Sequence, residues 1–306
     1  MINICFMGSG PFAQKVLEVL HREDVFKISS VITQPAKQVG RKRILEPTPV
    51  SNLASSLGIE VFECANSAQI LDAITPNSVD FLLVCDYGVL LKQPVIDLPK
   101  IDTLNIHGSL LPKYRGASPI QQAIKNGDLT TGVCLQSMVL ALDAGDVYSS
   151  MEYKIDKDMV FEEIRDQLAW LGAKLTIQSL GSIADGTLKA EAQDKSQISH
   201  CYKIDKSESV VEFESQDAVD IYNKYRAFHM WPKINFNYRN QSIIIHECAL
   251  ATIEKSLAAG EFLVENKRLF VGCKQGVLEL KEIQLPSKAK MKMADFLNGR
   301  ANYFHS

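Results

Sequence analysis

Apolar residues form four short and nearly continuous runs early in the chain, at positions 2–8, 26–33, 79–87 and 102–110. Strands that are buried on both faces of a parallel sheet have this pattern, because neither face meets water. Apolar positions at helical spacing lie between and after the runs, and they predict helices over residues 12–21, 48–57, 67–74, 119–127 and 160–180. This alternation predicts an α/β domain with a doubly wound, mostly parallel sheet.

The pattern changes after a polar segment at residues 190–206, which we interpret as a linker. Turn-forming residues separate the short alternating stretches that follow it, which lie at 233–250, 260–273 and 276–285. Short alternating stretches of this kind predict a small β-barrel, similar to an OB-fold. The predicted domains are therefore residues 1–189 and 207–306.

Charge is divided unevenly between these two parts. Residues 221–306 contain 13 Lys and Arg against 7 Asp and Glu, a net charge of +6, so with −3 for the whole chain the first 220 residues carry −9. A basic barrel beside an acidic α/β domain suggests an anionic partner, and an ordinary solvated surface explains the charge equally well.

Composition indicates a globular protein of the cytoplasm. Of the 306 residues, 46% are hydrophobic and 23% are charged. The seven cysteines are scattered and never in a C-x-x-C spacing, which is typical of buried thiols in a reducing compartment. No apolar run approaches the roughly 20 residues that cross a bilayer, and the N-terminus lacks the features of a signal peptide. We therefore expect no membrane partner.

The loop after the first strand contains Gly8 and Gly10, which bring backbone N–H groups close to a helix start. The dinucleotide fingerprint is incomplete, because Ala13 occupies its third small position and Pro11 removes a donor. The second strand also ends without the acidic residue that binds a ribose. A nicotinamide-dependent oxidoreductase is therefore disfavoured.

Two polar residues, Asn105 and His107, interrupt the fourth apolar run near its end. Side chains two positions apart on a strand point to the same side. The carboxyl end of a central strand is where open α/β sheets build their sites. A catalytic pair and a pair satisfied by backbone hydrogen bonds are equally weighted interpretations at this point.

The segment "LDAGD" offers two candidate catalytic carboxylates, Asp143 and Asp146, which flank the turn residues Ala144 and Gly145. An acid on such a loop can orient an imidazole and favour its cationic form. For either acid alone, capping the turn is the simpler interpretation.

An amide, an imidazole and a carboxylate without a Ser or Cys nucleophile fit direct group transfer between two substrates. The amide N–H and the imidazolium would stabilise the oxyanion of a tetrahedral intermediate, while the imidazole and the carboxylate move protons. The six histidines show no ligand spacing, so we predict that no metal is bound.

The segments "NIHGSLLPKYRGASPI" and "LDAGD" resemble the shared site of the folate-dependent formyltransferases, whose catalytic domain is Rossmann-like. The resemblance implies catalytic roles for Asn105, His107 and Asp143. It also implies 10-formyltetrahydrofolate as the co-substrate, and the segment that would bind it consists of Ser109, Leu110, Leu111 and Pro112.

Two further segments indicate one branch of this superfamily. "TQPAKQVGRKRILEPTPV" is similar to the loop by which the methionyl-tRNA formyltransferases enter the acceptor stem, and "YRAFHMWPKINF" resembles the segment that opens their C-terminal barrel. The resemblance implies formyl transfer to the α-amine of methionine on initiator tRNA, with Arg41, Lys42 and Arg43 as tRNA contacts. We expect the protein to act as a monomer.

The chain departs from the usual family pattern in two places, the opening loop "GSGPFA" and Asp86, which stands where a small residue is usual beside the folate pocket. The alternative within the superfamily is a formyltransferase for a small amine, such as an amino sugar or a glycinamide ribonucleotide. The basic loop and barrel speak against it, because a small substrate needs neither. A non-catalytic RNA-binding protein would leave Asn105, His107 and Asp143 unexplained.

Overall fold

The computed structural model describes residues 1–40, 43–300 and 302–304. Its helices are α1 (Pro11–Leu20), α2 (Pro49–Ser56), α3 (Ser67–Ala73), α4 (Gln93–Ile96), α5 (Pro119–Lys125), α6 (Phe161–Ala184), α7 (Ala218–Ala227) and α8 (Met293–Arg300). Short 3-10 turns lie at Lys195–Gln197 and Lys206–Ser209.

The strands of the first two hundred residues are β1 (Ile2–Gly8), β2 (Phe26–Thr33), β3 (Lys37–Val39), β4 (Ile44–Glu46), β5 (Glu60–Glu63), β6 (Phe81–Cys85), β7 (Asp102–His107), β8 (Arg115–Gly116), β9 (Thr130–Ser137), β10 (Val147–Lys154) and β11 (His200–Cys201). Those of the remainder are β12 (Ile234–Tyr238), β13 (Gln241–Ala251), β14 (Phe262–Glu265), β15 (Arg268–Gly272), β16 (Val277–Gln284) and β17 (Met291–Lys292).

The described residues divide into two compact units. The first unit comprises residues 1–119, 130–154 and 165–201, and the second comprises residues 120–129, 155–164 and 202–306. The segment that the sequence pattern marks as a linker is shared between the units, because residues up to 201 cluster with the first and those from 202 onward with the second.

A seven-stranded sheet in the order β10-β9-β7-β6-β1-β2-β5 forms the centre of the first unit. The strands β5, β2, β1, β6 and β7 are parallel to one another, whereas β9 runs antiparallel to both of its neighbours, β7 and the edge strand β10. All five residues of β6 are buried, as its continuous apolar run predicted. The prediction of a doubly wound, mostly parallel sheet is confirmed.

Local sequence signals explain where the first helices begin. Pro11 and Pro49 occupy the first turns of α1 and α2, where a missing N–H does no harm. The hydroxyl of Thr48 accepts the N–H of Ser51 at 3.0 Å and so caps α2. These starts place α1 directly after the carboxyl end of β1, at the end of the sheet where the parallel strands β6 and β7 also finish.

The second unit contains an antiparallel sheet in the order β12-β13-β16-β15-β14, with β17 paired to β16. In the described part of the chain no backbone ladder joins β12 to β14. Aromatic side chains join these two strands instead, because the Phe262 ring lies 6.0 Å from that of Phe236 and 5.3 Å from that of Tyr238. The sheet therefore curls on itself through side-chain packing.

All seven cysteines are buried and unpaired. Among the described helices, none is both long and apolar enough to cross a bilayer.

Candidate active site

His107 is the last residue of β7 and Asn105 lies two residues before it. The neighbouring parallel strands β1 and β6 have their carboxyl ends at the same end of the sheet. Asn105 is partly exposed, and within the described residues its side-chain amide has no hydrogen-bond partner. In the neighbouring strand β9, Gln136 is its direct backbone counterpart. The Asn105 amide is therefore available to a bound molecule.

His107 is buried, and each of its ring nitrogens faces an oxygen. Nε2 lies 3.0 Å from the carbonyl oxygen of Tyr114, and Nδ1 lies 3.6 Å from Oδ1 of Asp143. A carbonyl oxygen only accepts, so Nε2 carries a proton and donates it. Nδ1 and the Asp143 carboxylate form an ion pair when both ring nitrogens carry protons.

Asp143 is held from two further directions. The backbone N–H of Gly116 donates to its Oδ2 at 2.8 Å, and Nε2 of Gln136 donates to its Oδ1 at 3.2 Å. Its backbone has a φ of +50°, a region that non-glycine residues rarely adopt outside turns and functional sites. The structure thus brings Asp143 beside His107, and it leaves Asp146 exposed on the same loop.

The loop that carries Tyr114 and Gly116 is fixed by a segment much later in the chain. The hydroxyl of Ser199 accepts the Tyr114 N–H at 2.9 Å, and Cys201 pairs with Gly116 across β11 and β8. Gly116 has a φ of +129°, and a Cβ atom there would lie 1.8 Å from the Cys201 carbonyl oxygen. Only glycine can therefore present its N–H to Asp143 at this place.

The four predicted folate contacts form the turn that leads into this loop. Ser109 is fully buried, and its hydroxyl donates to the Lys113 carbonyl oxygen at 2.6 Å. The Leu111 N–H lies 3.3 Å from Sγ of Cys134, while Leu110, Leu111 and Pro112 are half-buried. Ser109 is thus committed to an internal hydrogen bond, and a folate contact for the segment stays a prediction.

Two loops bound a small cavity of about 70 Å³ next to Asp143. Its walls are residues 89–91, 136–140 and 142–145. Several apolar side chains at this place are exposed to water, among them Leu90 at 80%, Leu140 at 63% and Leu142 at 60%. Exposed apolar side chains grouped around a carboxylate are typical of ligand-binding surfaces.

Asp86 follows β6 with a φ of +46° and lies against the opening loop. Its carbonyl oxygen accepts the Ser9 N–H at 3.1 Å, and its carboxylate is packed so closely on Gly10 that a Cβ there would lie 1.9 Å from Oδ2. Asp86 keeps an exposed side, but the loss of hydration around its carboxylate raises its pKa to about 6. The positive charge of Arg165 lowers this pKa and only partly offsets the rise.

The predicted tRNA-binding loop contains a two-stranded hairpin, β3 with β4. Arg43 lies at its turn with a φ of +50°, while Arg41 and Lys42 lie outside the described residues. Both strands are exposed along their length, including the apolar Ile44 and Leu45. A contact of Arg41, Lys42 and Arg43 with tRNA stays a prediction.

The sequence pattern did not reveal Gln136, whose amide holds Asp143, because β9 was not predicted as a strand. Its only local signal is a polar residue that follows the buried run of Val133, Cys134 and Leu135, a pattern like that of Asn105 in β7.

As for metals, the described residues contain no group of three or more His, Cys, Asp or Glu that could hold an ion.

Two family models match the chain. The model described as formyl transferase matches residues 2–180, and that described as formyl transferase, C-terminal domain, matches residues 203–301. Methionyl-tRNA formyltransferase of Sulfurihydrogenibium sp. (strain YO3AOP1) is 36% identical over 303 residues, which cover 97% of each chain. The enzyme of that name from Sulfurovum sp. (strain NBC37-1) is 37% identical over 301 residues, 97% of this chain and 96% of its own.

Solved structures share the fold at low sequence identity. The N-formyltransferase from Helicobacter canadensis, in complex with folinic acid and dTDP-3-aminofucose, aligns with a TM-score of 0.69 at 17% identity over 94% of this chain and 100% of that one. A 4-N formyltransferase from Francisella tularensis aligns with a TM-score of 0.61 at 14% identity, over 79% of this chain and 95% of its own.

Proposed function

The chain belongs to the formyl transferase family, and we propose that it transfers the formyl group of 10-formyltetrahydrofolate to the α-amine of methionine on initiator tRNA. The observation that carries this proposal is the similarity to methionyl-tRNA formyltransferases, which is 33–37% identity over almost the full length of both chains. The similarity extends over both units of the chain.

The reaction exchanges one bond for another at the formyl carbon. The amine nitrogen attacks this carbon, its oxygen becomes an oxyanion, and the bond to N10 of the folate then breaks. The amine loses one proton and N10 gains one, so the products are formylmethionyl-tRNA and tetrahydrofolate. A site for this chemistry needs a donor to the oxyanion, a fixed positive charge and a path for the proton.

Asn105 supplies the donor. Its amide is half-exposed and has no partner within the described residues, so hydrogen-bonding to an oxyanion breaks no existing protein contact. Its place two residues before His107 puts the amide on the same side of β7 as the imidazole, where a donor can meet the charge that develops on the substrate.

His107 and Asp143 supply the positive charge and the proton path. The ring is buried and both of its nitrogens face oxygens, from Tyr114 and Asp143, so an imidazolium formed during the reaction has a counter-charge beside it. Nε2 is the nitrogen that can exchange the neutral Tyr114 carbonyl for the substrate, because Nδ1 faces the charged carboxylate. We assign the proton transfer between the amine and N10 to this pair.

We place the folate ring system over the mouth of the cavity next to Asp143, against the exposed side chains of Leu90, Leu140 and Leu142, since the cavity of about 70 Å³ holds only part of it. In this position the one-carbon group of the co-substrate comes close to the sheet edge that carries Asn105 and His107. The turn Ser109–Pro112 acts mainly by supporting the loop that carries Tyr114, because the buried hydroxyl of Ser109 already donates to the Lys113 carbonyl oxygen.

The tRNA is held by positive charge on the second unit and on the β3–β4 hairpin. Residues 221–306 carry a net charge of +6, and three lysines within or just before β17 are exposed: Lys288, Lys290, which is paired with Glu282, and Lys292. Contacts of this kind with phosphate position a nucleic acid without reading its sequence. The protein acts as a monomer in the cytoplasm, where its seven unpaired buried thiols remain reduced.

The direct test is incubation of the protein with 10-formyltetrahydrofolate and methionyl-initiator tRNA, followed by chromatographic detection of formylmethionine released from the tRNA. Unesterified methionine and elongator methionyl-tRNA are the control acceptors. Formylation of an amino sugar or of glycinamide ribonucleotide, without any formylmethionyl-tRNA, would replace the proposal by the small-amine alternative.

A further inference from the structure

Residues 191–201 connect the two loops of the active site. The backbone of Glu191 exchanges two hydrogen bonds of 2.9 Å with Val147, immediately after the loop that carries Asp143. At the other end of the segment, the Ser199 carbonyl oxygen accepts the Arg115 N–H at 2.9 Å, and Cys201 pairs with Gly116. The segment is thus anchored at both ends by backbone bonds, and it crosses from one loop to the other.

Within this segment, the side chain of Gln193 contacts both loops at once. Its Oε1 accepts from Nε and Nη2 of Arg115 at 3.1 and 2.8 Å. Its Nε2 donates to the carbonyl oxygens of Asp143 and Gly145 at 2.9 and 2.6 Å. The same Nε2 lies 3.5 Å from Oε1 of Gln136, whose own Nε2 donates to the Asp143 carboxylate.

These contacts require an amide. The side chain must accept from a guanidinium on one side and donate to two carbonyl oxygens on the other, which neither a carboxylate nor an ammonium can do. The loop also packs tightly against β9, because a Cβ on Gly145 would lie 1.7 Å from the Ser137 carbonyl oxygen. The Asp143 loop is therefore held between β9 and Gln193.

We propose that Gln193 is a positioning residue for formyl transfer. It fixes the main chain at Asp143 and Gly145, and thereby the carboxylate that faces His107. Through Arg115 it fixes the loop that presents the Gly116 N–H and the Tyr114 carbonyl oxygen to the same two side chains. The inference rests on the proposed function, since formyl transfer is the reaction measured.

Gln193→Glu separates the two halves of the contact. The new carboxylate still accepts from Arg115, but it faces the carbonyl oxygens of Asp143 and Gly145 without a proton to donate. The loop must then shift, and a displacement of about 1 Å at a catalytic group costs on the order of 100-fold. We expect kcat to fall about 10- to 100-fold, while KM for either substrate changes by less than about 2-fold.

The matched control is Gln197→Glu, the same chemical change four positions later in the same segment. Gln197 is exposed and its side chain donates to Asp194, at 3.0 Å, so the kcat of this variant should equal that of the wild type. Thermal unfolding of both variants checks that they are folded at the assay temperature. An unchanged kcat for folded Gln193→Glu would overturn the proposal.

A double-mutant comparison shows whether Gln193 acts through Asp143. If it does, adding Gln193→Glu to Asp143→Asn lowers kcat no further, because the carboxylate that Gln193 positions is already absent. Effects that multiply, as expected for two independent changes, would show that Gln193 does not act through Asp143 and would overturn the proposal.

The wild-type assay keeps this inference distinct from the proposed function. If the wild type formylates only a small amine, the proposed function fails, and the Gln193 variants are compared on that acceptor. If the wild type forms formylmethionyl-tRNA and Gln193→Glu does so equally fast, only the positioning role fails.

Discussion

Oδ1 of Asp143 lies 3.6 Å from Nδ1 of His107, while Oδ2 of the same carboxylate accepts the Gly116 N–H at 2.8 Å. The loop that contains Gly116 also carries the Tyr114 carbonyl oxygen, which contacts the other ring nitrogen of His107. The carboxylate therefore holds the imidazole twice, once directly and once through the loop. A change at Asp143 should affect both the charge and the orientation of the ring.

Asp143→Asn tests the importance of that negative charge. The new side chain retains the size of Asp143 and one oxygen for the Gly116 N–H, so the melting temperature should change little. Without the carboxylate the imidazolium loses its counter-charge, and we expect kcat to fall by about 100-fold or more. The measurement is kcat for formyl transfer together with thermal unfolding.

The control is Asp146→Asn, which removes an exposed carboxylate from the same loop. We expect its activity to remain close to that of the wild type. Greater damage from Asp146→Asn than from Asp143→Asn would mean that the catalytic acid has been assigned to the wrong residue.

Asn105→Ala removes the proposed oxyanion donor. Loss of one preorganised donor typically lowers turnover by about 100- to 1,000-fold, and KM should stay nearly constant because the contact forms only in the transition state. Steady-state kinetics with each substrate varied in turn would measure both quantities. Asn52→Ala, on an exposed position of α2, is the control, and near-normal turnover of Asn105→Ala would exclude the oxyanion role.

The central strands could be predicted from the sequence because burial on both faces leaves a strong signal. The runs at 2–8 and 26–33 match the bounds of β1 and β2, and every residue of β6 is buried. By contrast, the edge strand β10 is only half-buried, and the sequence indicated no more than that a strand begins after the turn in "LDAGD". Its mixed pattern carries little periodic signal, so its length could not be predicted. The helices α7 and α8 were not predicted either.

The same reasoning explains which parts of the candidate site could be foreseen. Asn105 and His107 stand out because polar residues interrupt an apolar run, and "LDAGD" stands out as a turn. Gln193 gives no such signal, because it lies in a polar segment and its partner Asp143 is 50 positions away. Long-range hydrogen bonds to backbone atoms leave no local pattern, so this part of the site required the structure.

Gln136→Glu would place a second carboxylate beside Asp143, where the native amide now donates at 3.2 Å. The pKa of the new carboxyl should be higher in the folded protein than in the unfolded chain, because a like charge is close. The folded state then binds more protons, so stability falls as pH rises through that interval. Denaturant unfolding should show near wild-type stability at pH 4 and a loss on the order of 2 kcal/mol at pH 8.

Replacement by Leu separates charge from hydrogen bonding at this position. Gln136→Leu also loses the donor to Asp143, but it adds no charge, so its stability relative to the wild type should vary little with pH. A stability difference for Gln136→Glu that is the same at pH 4 and pH 8 would contradict the close approach of the two side chains.

Asp86→Asn should stabilise the protein at neutral and alkaline pH. Loss of hydration raises the pKa of this carboxyl to about 6, above its usual value of 3.8. The folded state thus binds a proton more tightly than the unfolded chain, and the wild type loses stability as pH rises from about 4 to 6. The variant has no such loss, so its melting temperature should exceed that of the wild type at pH 8 and match it near pH 4.

The control for this experiment is Asp72→Asn, which removes an exposed carboxylate from α3. Its melting temperature should follow that of the wild type at both pH values. A melting temperature of Asp86→Asn at or below the wild-type value at pH 8 would show that the Asp86 carboxylate is well solvated in the folded protein.

The two basic regions of the chain should contribute to different steps with tRNA. Replacement of Lys288, Lys290 and Lys292 by Ala removes three exposed charges within or just before β17. If each of them neutralises a phosphate of duplex RNA, the slope of log affinity against log salt should become shallower by up to about 0.9 for each lysine removed. Filter binding of methionyl-tRNA over a range of salt concentrations measures this slope, and turnover at saturating tRNA should remain close to that of the wild type.

Replacement of Arg41, Lys42 and Arg43 by Ala should have the opposite signature. The β3–β4 hairpin follows the carboxyl end of β2, at the same end of the sheet as the carboxyl ends of β6 and β7. A basic hairpin at this end of the sheet is suited to placing the acceptor end of the tRNA near His107. Misplacement of a reacting group lowers kcat even when binding is saturated. We therefore expect a larger effect on kcat than on the salt slope. A steep loss of tRNA affinity with normal kcat would show that the hairpin contributes general phosphate binding instead. Equal effects of the two triple variants on kcat and on the salt slope would show that the two regions contribute to the same step.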